Sequence, residues 1–294
     1  MTGTSPPNSG APSPLGLVAG AGAFPFMVVR GAKRAGCRVV VLGIRGLADP
    51  GLRNESDVFQ WTGLARLGAW VRALRRRKVT RCILAGSVRK TDMYGRWRVL
   101  RTLPDLTTAW LWLFKVPDKR NDSLLGTLGG YLAAKGITLE NCVQYCQEDL
   151  APEGVLTDVE PTATQLRDLE FGWPIAKEMG RLDIGQALAV KEQEVIAVEA
   201  IEGTDRMIER AGQLCAHGGW TLIKVAKPNQ DMRFDVPTVG PATMEHLHRS
   251  GAKMLVVETG KTLIVEREKM LAAARKYGIV VLGRRHSASK QANA

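Results

Sequence analysis

Leu15-Gly16-Leu17-Val18-Ala19-Gly20-Ala21-Gly22-Ala23-Phe24-Pro25 is the stretch that decides the fold class. Its first five residues form an apolar run of strand length. Gly20–Gly22 is a glycine-rich turn, and Phe24 to Ala35 has helical spacing. Pro25 falls at an early helical position, where its missing N–H costs nothing. Gly36 closes that helix, and Arg38–Leu42 is a second apolar strand. Leu64–Lys78 follows as a basic helix with Leu64, Leu67, Val71 and Leu74 on one face, and Arg81–Ala85 is a third strand ending in Gly86. This alternation predicts a parallel sheet with crossover helices. Two more helices are expected, around Leu106–Phe114 and Ser123–Lys135.

The pattern then changes. Gln147–Pro161 is rich in acidic residues, Pro and Gly, and residues 149–161 are expected as a linker. Beyond it, helices are expected at Ala163–Met179, after Thr204, at Thr243–Ser250 and at Glu266–Tyr277. Strands are expected at Ala187–Val190, Val195–Ala200, Trp220–Val225, Met254–Val257, Thr262–Val265 and Ile279–Leu282. The reading is a two-domain α/β protein. A Rossmann-like parallel sheet spans 15–148, a second α/β domain spans 162–283, and residues 1–14 and 284–294 are polar tails expected to be disordered.

Hydrophobic residues make up 45% of the 294, and charged residues 24%, as in a globular protein. The apolar stretch Leu15–Val29 is broken by Gly16, Gly20, Gly22 and Pro25, so no spanning helix is expected. The first residues lack the basic region of a secretory signal. Five scattered cysteines without metal-ligand spacing read as reduced thiols of a cytoplasmic protein. Net charge is +12, and residues 1–150 carry all of it, with 22 Lys+Arg against 10 Asp+Glu of the chain's 41 and 29. The remainder holds 41 − 22 = 19 basic and 29 − 10 = 19 acidic residues. Such a half attracts nucleic acid, an anionic membrane surface or a phosphorylated substrate, and charge alone does not choose among them.

Five constellations could carry chemistry. Gly20 and Gly22 lie in a turn that leads into a helix, where backbone N–H groups and the helix dipole favour a phosphate. A tight turn needs small residues too. Pro25 stands where a dinucleotide fingerprint has its third glycine, and no GK[ST] follows. Gly86, Ser87 and Lys90 end the third strand, at the sheet edge where ligands of parallel sheets bind, or they form a solvated basic loop. Asp122 could face a ligand or, with Asn121, cap a helix.

The fourth constellation joins Gln186, at the end of Asp183–Gln186, to Glu199, Glu202, Thr204 and Asp205. Carboxylates this close repel unless a cation compensates, and Mg²⁺ takes such oxygens. Helix capping is the plain alternative for Thr204 and Asp205. The fifth is the densest, Lys224 to Pro237. It carries Lys224, Lys227, Gln230, Asp231, Arg233 and Asp235, stiffened by Pro228 and Pro237. Lys and Arg hold phosphates, and Asp binds Mg²⁺ or polarises water. A solvated loop with surface ion pairs is the alternative. No HExxH, no nucleophile elbow and no two-metal phosphoesterase pattern is present. Trp97, Trp110, Trp112 and Phe114, interleaved with basic residues, suit an anionic headgroup layer or an acyl chain, unless they pack in a core.

The strings LGLVAGAGAFP (Leu15–Pro25), RNDSLL (Arg120–Leu125), LDIGQALAVK (Leu182–Lys191), VEAIEGTD (Val198–Asp205) and KVAKPNQDMRFDVPTVG (Lys224–Gly240) occur in this order. Together they resemble the LpxI-type UDP-2,3-diacylglucosamine pyrophosphatases of lipid A synthesis over about residues 15–283. The resemblance implies a two-domain enzyme with its substrate cleft between the domains. It implies Mg²⁺-dependent hydrolysis, Mn²⁺ being an alternative ion, of UDP-2,3-diacylglucosamine to UMP and the 1-phosphate lipid X. The family is unrelated to the calcineurin-like phosphoesterases of the same step. Its catalytic aspartate belongs to the loop matching Asp231–Pro237, which points to Asp235 first and Asp231 second. Asp235, Glu199, Glu202 and Asp205 are the expected metal ligands.

The expected place is cytoplasmic, peripheral to the anionic inner face of the inner membrane, with no nucleic-acid partner and with a homodimer left open. Two other classes stay in view. One is a Rossmann-type nucleotide-sugar or dinucleotide-binding enzyme, disfavoured because Gly43 and Arg45, not an acid, end the second strand. The other is a basic nucleic-acid-binding module, which leaves the acidic strings unexplained.

Overall fold

The computed structural model describes residues 13–88, 104–114, 121–228, 231–233 and 236–286, without the side chains of 112–114 and 121–125. The chain divides into two compact units, one holding residues up to Cys146 plus Met232–Phe234, the other holding Gln147–Asp231 and the chain from Asp235 onward.

The first unit is built on a five-stranded parallel sheet in the order β3-β2-β1-β4-β5. Its strands are β1 (Leu15–Ala19), β2 (Val39–Ile44), β3 (Val58–Thr62), β4 (Arg81–Ala85) and β5 (Thr138–Leu139). The expected parallel sheet with crossover helices is present, and its order is that of the doubly wound fold short of its sixth strand. β1 and β2 are buried at every position, as strands covered on both faces must be. Helix α1 (Phe24–Arg34) lays Val28, Val29 and Ala32 inward. A short α2 (Leu52–Glu55) precedes β3. Helix α3 (Leu67–Arg75) buries Trp70, Val71 and Leu74, while Arg72 and Arg75 lie in its last turn. Helices α4 (Leu106–Phe114) and α5 (Asn121–Ala134) follow. Strand β3 escapes the sequence reading because its first four positions are only half buried, so its apolar signal is weak.

The second unit carries a six-stranded mixed sheet in the order β6-β13-β11-β9-β7-β8. These strands are β6 (Gly154–Val155), β7 (Ala187–Lys191), β8 (Glu194–Val198), β9 (Thr221–Lys224), β11 (Met254–Glu258) and β13 (Val280–Arg284). β9, β11 and β13 run parallel, and β7 runs antiparallel to both β8 and β9. A separate parallel pair joins β10 (Thr238–Val239) to β12 (Leu263–Ile264).

Period-two alternation sends side chains to both faces of the main sheet. Leu222, Leu255, Val257 and Val281 pack with Met207, Ile208, Met244, Leu247 and Met270, from helices α7 (Thr204–Leu214), α8 (Pro241–Arg249) and α9 (Arg267–Tyr277). Ile223, Met254, Val256 and Val280 pack with Leu169, Trp173 and Ala176 of helix α6 (Ala163–Arg181). That helix starts on a capping box between Thr162 and Gln165, which satisfies two end N–H groups.

Residues 149–161 contribute more than a connection. Ala151 is buried, and β6 adds an antiparallel edge beside β13, where Leu282 faces Val155. At Gly283 the two segments approach so closely that a Cβ would stand 1.8 Å from Pro152 O. At the chain ends, Ser13 accepts from Arg81 and Arg284 pairs with Glu170, while residues 1–12 and 287–294 of the expected tails lie outside the described residues. All five cysteines are free thiols.

Gly283→Ala is expected to lower unfolding free energy by about 1–3 kcal/mol, the cost of overpacking. A urea melt measures it. An unchanged melt would mean that residues 150–155 do not lie against β13.

Candidate functional site

In the first unit, the two glycine turns expected at one crevice are joined to each other. Gly20 N–H donates to Ala85 O (2.8 Å), Ala21 N–H to Ser87 O (3.0 Å) and Ser87 N–H to Ala21 O (2.9 Å). Gly20 and Gly86 are required by this contact. A Cβ on Gly20 would meet Ser87 O at 2.9 Å, and one on Gly86, at φ +98°, would meet Ala21 O at 2.8 Å. Three amides of the turns are thus used within the protein. Gly22 has open space at its Cβ position and leads into α1, whose first-turn N–H groups form the dipole's positive end, although Pro25 has none and Phe26 N–H donates to Ala23 O (3.1 Å). The part of this edge suited to an anion is therefore the start of α1. Lys90 lies outside the described residues, as does the side chain of Asp122, the second residue of α5.

In the second unit, one end of the sheet gathers the polar residues. The parallel strands β9 and β11 end at Lys224 and Glu258, β8 runs out into Glu199, and β7 begins just after Gln186. Backbone bonds align them: Val225 N–H donates to Gln186 O (2.9 Å) and Glu199 N–H to Ala187 O (2.9 Å). Gly185 lies against the Glu199 backbone, where a Cβ would fall 2.0 Å from Glu199 O.

Glu199 is 7% exposed. Its Oε1 accepts from Thr204 Oγ1 at 3.1 Å. Its Oε2 is buried with no hydrogen bond, as is Gln186 Oε1. Burial pushes the Glu199 carboxyl up from its ordinary value, against the pull of Lys224, the Thr204 hydroxyl, the Gln186 N–H and Lys227. Lys224 is itself buried, and its Nζ donates to Thr238 O (2.9 Å), across the base of the loop from 225 to 237. Lys227 forms an ion pair with Asp183. The hydroxyl of Thr204 is spent on Glu199 and not on capping, since the N-cap of α7 is Gly203, which has no side chain to offer.

Of the other two expected carboxylates, Glu202 has a partner of its own. Glu202 Oε1 pairs with Arg210 Nη2 (2.7 Å), and its Oε2 accepts from the Ala200 N–H at 3.2 Å. Its own backbone N–H first, then Arg210, hold its carboxyl below the usual range. Asp205 Oδ1 lies 3.5 Å from His246 Nδ1, which is buried without a hydrogen bond. Among the described residues, no group of three or more His, Cys, Asp or Glu is arranged around one point that could hold a metal. Two orphaned acceptor oxygens, those of Glu199 and Gln186, are of the chemical kind a hard cation takes.

Asp231 is half buried and Arg233 exposed, while Gln230 and Asp235 lie outside the described residues. Met232 O accepts from the Cys142 N–H (3.1 Å) and Sγ (2.9 Å) within the first unit.

Profiles of the LpxI N-terminal domain and the LpxI C-terminal domain match residues 14–148 and 152–282. The chain belongs to the LpxI family. It is also 34% identical over 281 residues to UDP-2,3-diacylglucosamine pyrophosphatase LpxI of Caulobacter vibrioides, covering 92% of this chain and 96% of that protein. The resemblance drawn from five short strings thus holds over both domains.

Sequence reasoning missed two residues at this end of the sheet, Lys177 and Glu258. They form a buried ion pair, Nζ to Oε2 2.9 Å, with side chains 13% and 6% exposed. A signal existed: Met254–Glu258 is an apolar strand that ends in an acid, one residue past the register partner of Lys224.

The raised Glu199 pKa has a sign that can be tested. The folded state holds its proton to higher pH than the unfolded chain, so burial of this group costs no charge-desolvation at acid pH. Stability falls as pH rises from the ordinary carboxyl range through the folded value. Glu199→Gln is therefore expected to raise the melting temperature at neutral pH, with the gain shrinking toward pH 4. A variant less stable than wild type at neutral pH would show that the charged form is well compensated.

Proposed function

We propose that this chain hydrolyses the pyrophosphate bond of UDP-2,3-diacylglucosamine, releasing UMP and 2,3-diacylglucosamine 1-phosphate. The observation that carries this reading is the end-to-end match with a relative named for that substrate, across both LpxI domains. In the reaction, a water oxygen bonds to one phosphorus, the bridging P–O bond breaks, and the departing oxygen leaves on the other phosphate. Barriers to such transfers are lowered by positioning and by neutralising charge on the phosphate oxygens.

The residues fit those needs. Lys224 and Lys227 stand at the carboxyl end of the second sheet, and Arg233 belongs to the loop that leaves it. They supply positive charge for the phosphates. The start of α1 offers a second place for an anion. A bound Mg²⁺ would neutralise phosphate charge; Glu199 and Gln186, with Asp235, would hold it, while Glu202 is already engaged by Arg210. In this reading Asp235 acts on the metal or aligns the attacking water, and Asp231 is second to it.

The reading also covers a place. Two acyl chains keep the substrate at a lipid surface, so the enzyme works in the cytoplasm, peripheral to the inner membrane. Among the described residues, no helix is long and apolar enough to cross a membrane. Leu106 and Trp110 of α4 are 91% and 49% exposed, beside a segment rich in Lys and Arg. Such a helix suits an anionic headgroup layer.

The direct test is UMP release from UDP-2,3-diacylglucosamine. Turnover is expected to vanish in EDTA and return with Mg²⁺ or Mn²⁺. Asp235→Ala is expected to fold and to lose at least roughly a hundredfold in kcat, as when a group acting in the transition state is removed. No UMP from the wild type sinks the proposal; full activity in EDTA sinks its metal; near-normal kcat in the folded variant moves the role to Asp231. For the membrane, the wild type is expected to bind anionic vesicles at low salt, and Trp110→Ala to weaken that binding. Indifference of the wild type would place the tryptophan in packing alone.

A further inference from the structure

Ala226 is where the chain leaves the sheet, and none of its backbone is left to a strand partner. Its N–H donates to Glu258 Oε2 at 2.8 Å. Its carbonyl accepts from Lys177 Nζ at 3.1 Å. The same Lys177 Nζ bonds both oxygens of Glu258, at 3.1 and 2.9 Å. One residue earlier, Val225 still donates to Gln186 O in the manner of the sheet. One residue later, Lys227 meets Asp183, which follows α6, and the end of that helix touches the loop at Gly180, whose Cβ position lies 3.4 Å from Lys227 Cα. The buried pair therefore grips the N–H and C=O on either side of one Cα, at the root of the loop that holds Lys227, Asp231, Arg233 and Asp235.

We propose that Lys177 and Glu258 are positioning residues for the reaction, a side-chain clamp that sets the direction in which the 227–237 loop leaves β9. The inference rests on the reading of that loop as catalytic. Its physical basis is the cost of burying two charges. A buried pair repays desolvation only when its remaining hydrogen-bonding capacity is met. Here part of that capacity goes to a peptide backbone, so the conformation of Ala226 and the stability of the pair are one quantity. Neither side chain is needed to touch substrate. Both act through Ala226 on groups several residues downstream, where a misplacement of about 1 Å is enough to cost on the order of a hundredfold in rate.

The test compares Lys177→Met, Lys177→Arg and Glu258→Gln with the wild type, at a temperature well below each melting point. Three readouts are taken: kcat and KM for UMP release, melting temperature, and amide hydrogen exchange of the peptide spanning residues 225–237. For Lys177→Met the expected result is a kcat loss of about tenfold to a hundredfold, with KM changed much less. Exchange in that peptide should quicken, while peptides from β7 and α8 stay as in the wild type. Glu258→Gln keeps a neutral acceptor for the Ala226 N–H and should show a change of the same kind; if Lys177→Met does not fold, Glu258→Gln and Lys177→Arg carry the comparison. Lys177→Arg retains the charge and the donors, and it should recover much of the lost kcat.

A folded variant with lowered melting temperature but wild-type kcat and exchange would overturn the proposal, leaving the pair a fold device. So would a Lys177→Arg variant as impaired as Lys177→Met. The exchange measurement needs no substrate. If the wild type itself released no UMP, the enzymatic reading would fall, and exchange alone would still decide whether the clamp holds the loop.

Discussion

Parallel strands buried on both faces have only one kind of place for polar side chains, the ends. Every interior position of β9 and β11 meets a helix above or below, so a charged residue there would lose water without gaining a partner. The first polar residue after each apolar run is therefore carried to the same edge. Hydrogen-bonded register does the rest: Val257 lies beside Lys224, so Glu258 and Val225 come next to each other across two strands. This constraint brings Lys224 and Glu258 to one edge, where the antiparallel β7–β8 hairpin adds Gln186 and Glu199.

The same constraint governs what those residues can do. A carboxyl at the rim of a core is desolvated by its position, and Glu199 shows the consequence in its raised pKa and its orphaned oxygen. Glu258 shows the other outcome, with every need met by Lys177 and Ala226. Two acids of similar burial thus differ in surroundings: Glu258 is hydrogen-bonded to a lysine of α6, and Glu199 only feels Lys224 and Lys227 at longer range. The first unit meets the problem without charges, by weaving Gly20–Ala21 and Gly86–Ser87 into a backbone-to-backbone contact that only glycine allows.

Much of this was legible in the residues alone. Apolar runs closed by glycine revealed the strands of the first sheet, because a strand covered on both faces has no polar position to hide it. The resemblance of five short strings located the family, which the match over both domains bears out. Weak periodicity hid β3, β5 and β6, which lie at sheet edges or are only two residues long. Residues 149–161 read as a linker by composition, since Pro, Gly and acids say nothing of an edge strand that pairs through backbone.

The sequence by itself determined the element types, the two-domain plan, the family and the crowding of charge into short polar strings. These follow from local pattern and from composition, which need no partner to be read. Only the tertiary structure decided how those charges pair. Glu202 turned to Arg210 and Thr204 to Glu199, while Lys177 and Glu258, 81 residues apart, closed on Ala226. Adjacency in sequence brings side chains near but does not orient them; strand register and helix packing do, because they fix which groups share the little space that water has left.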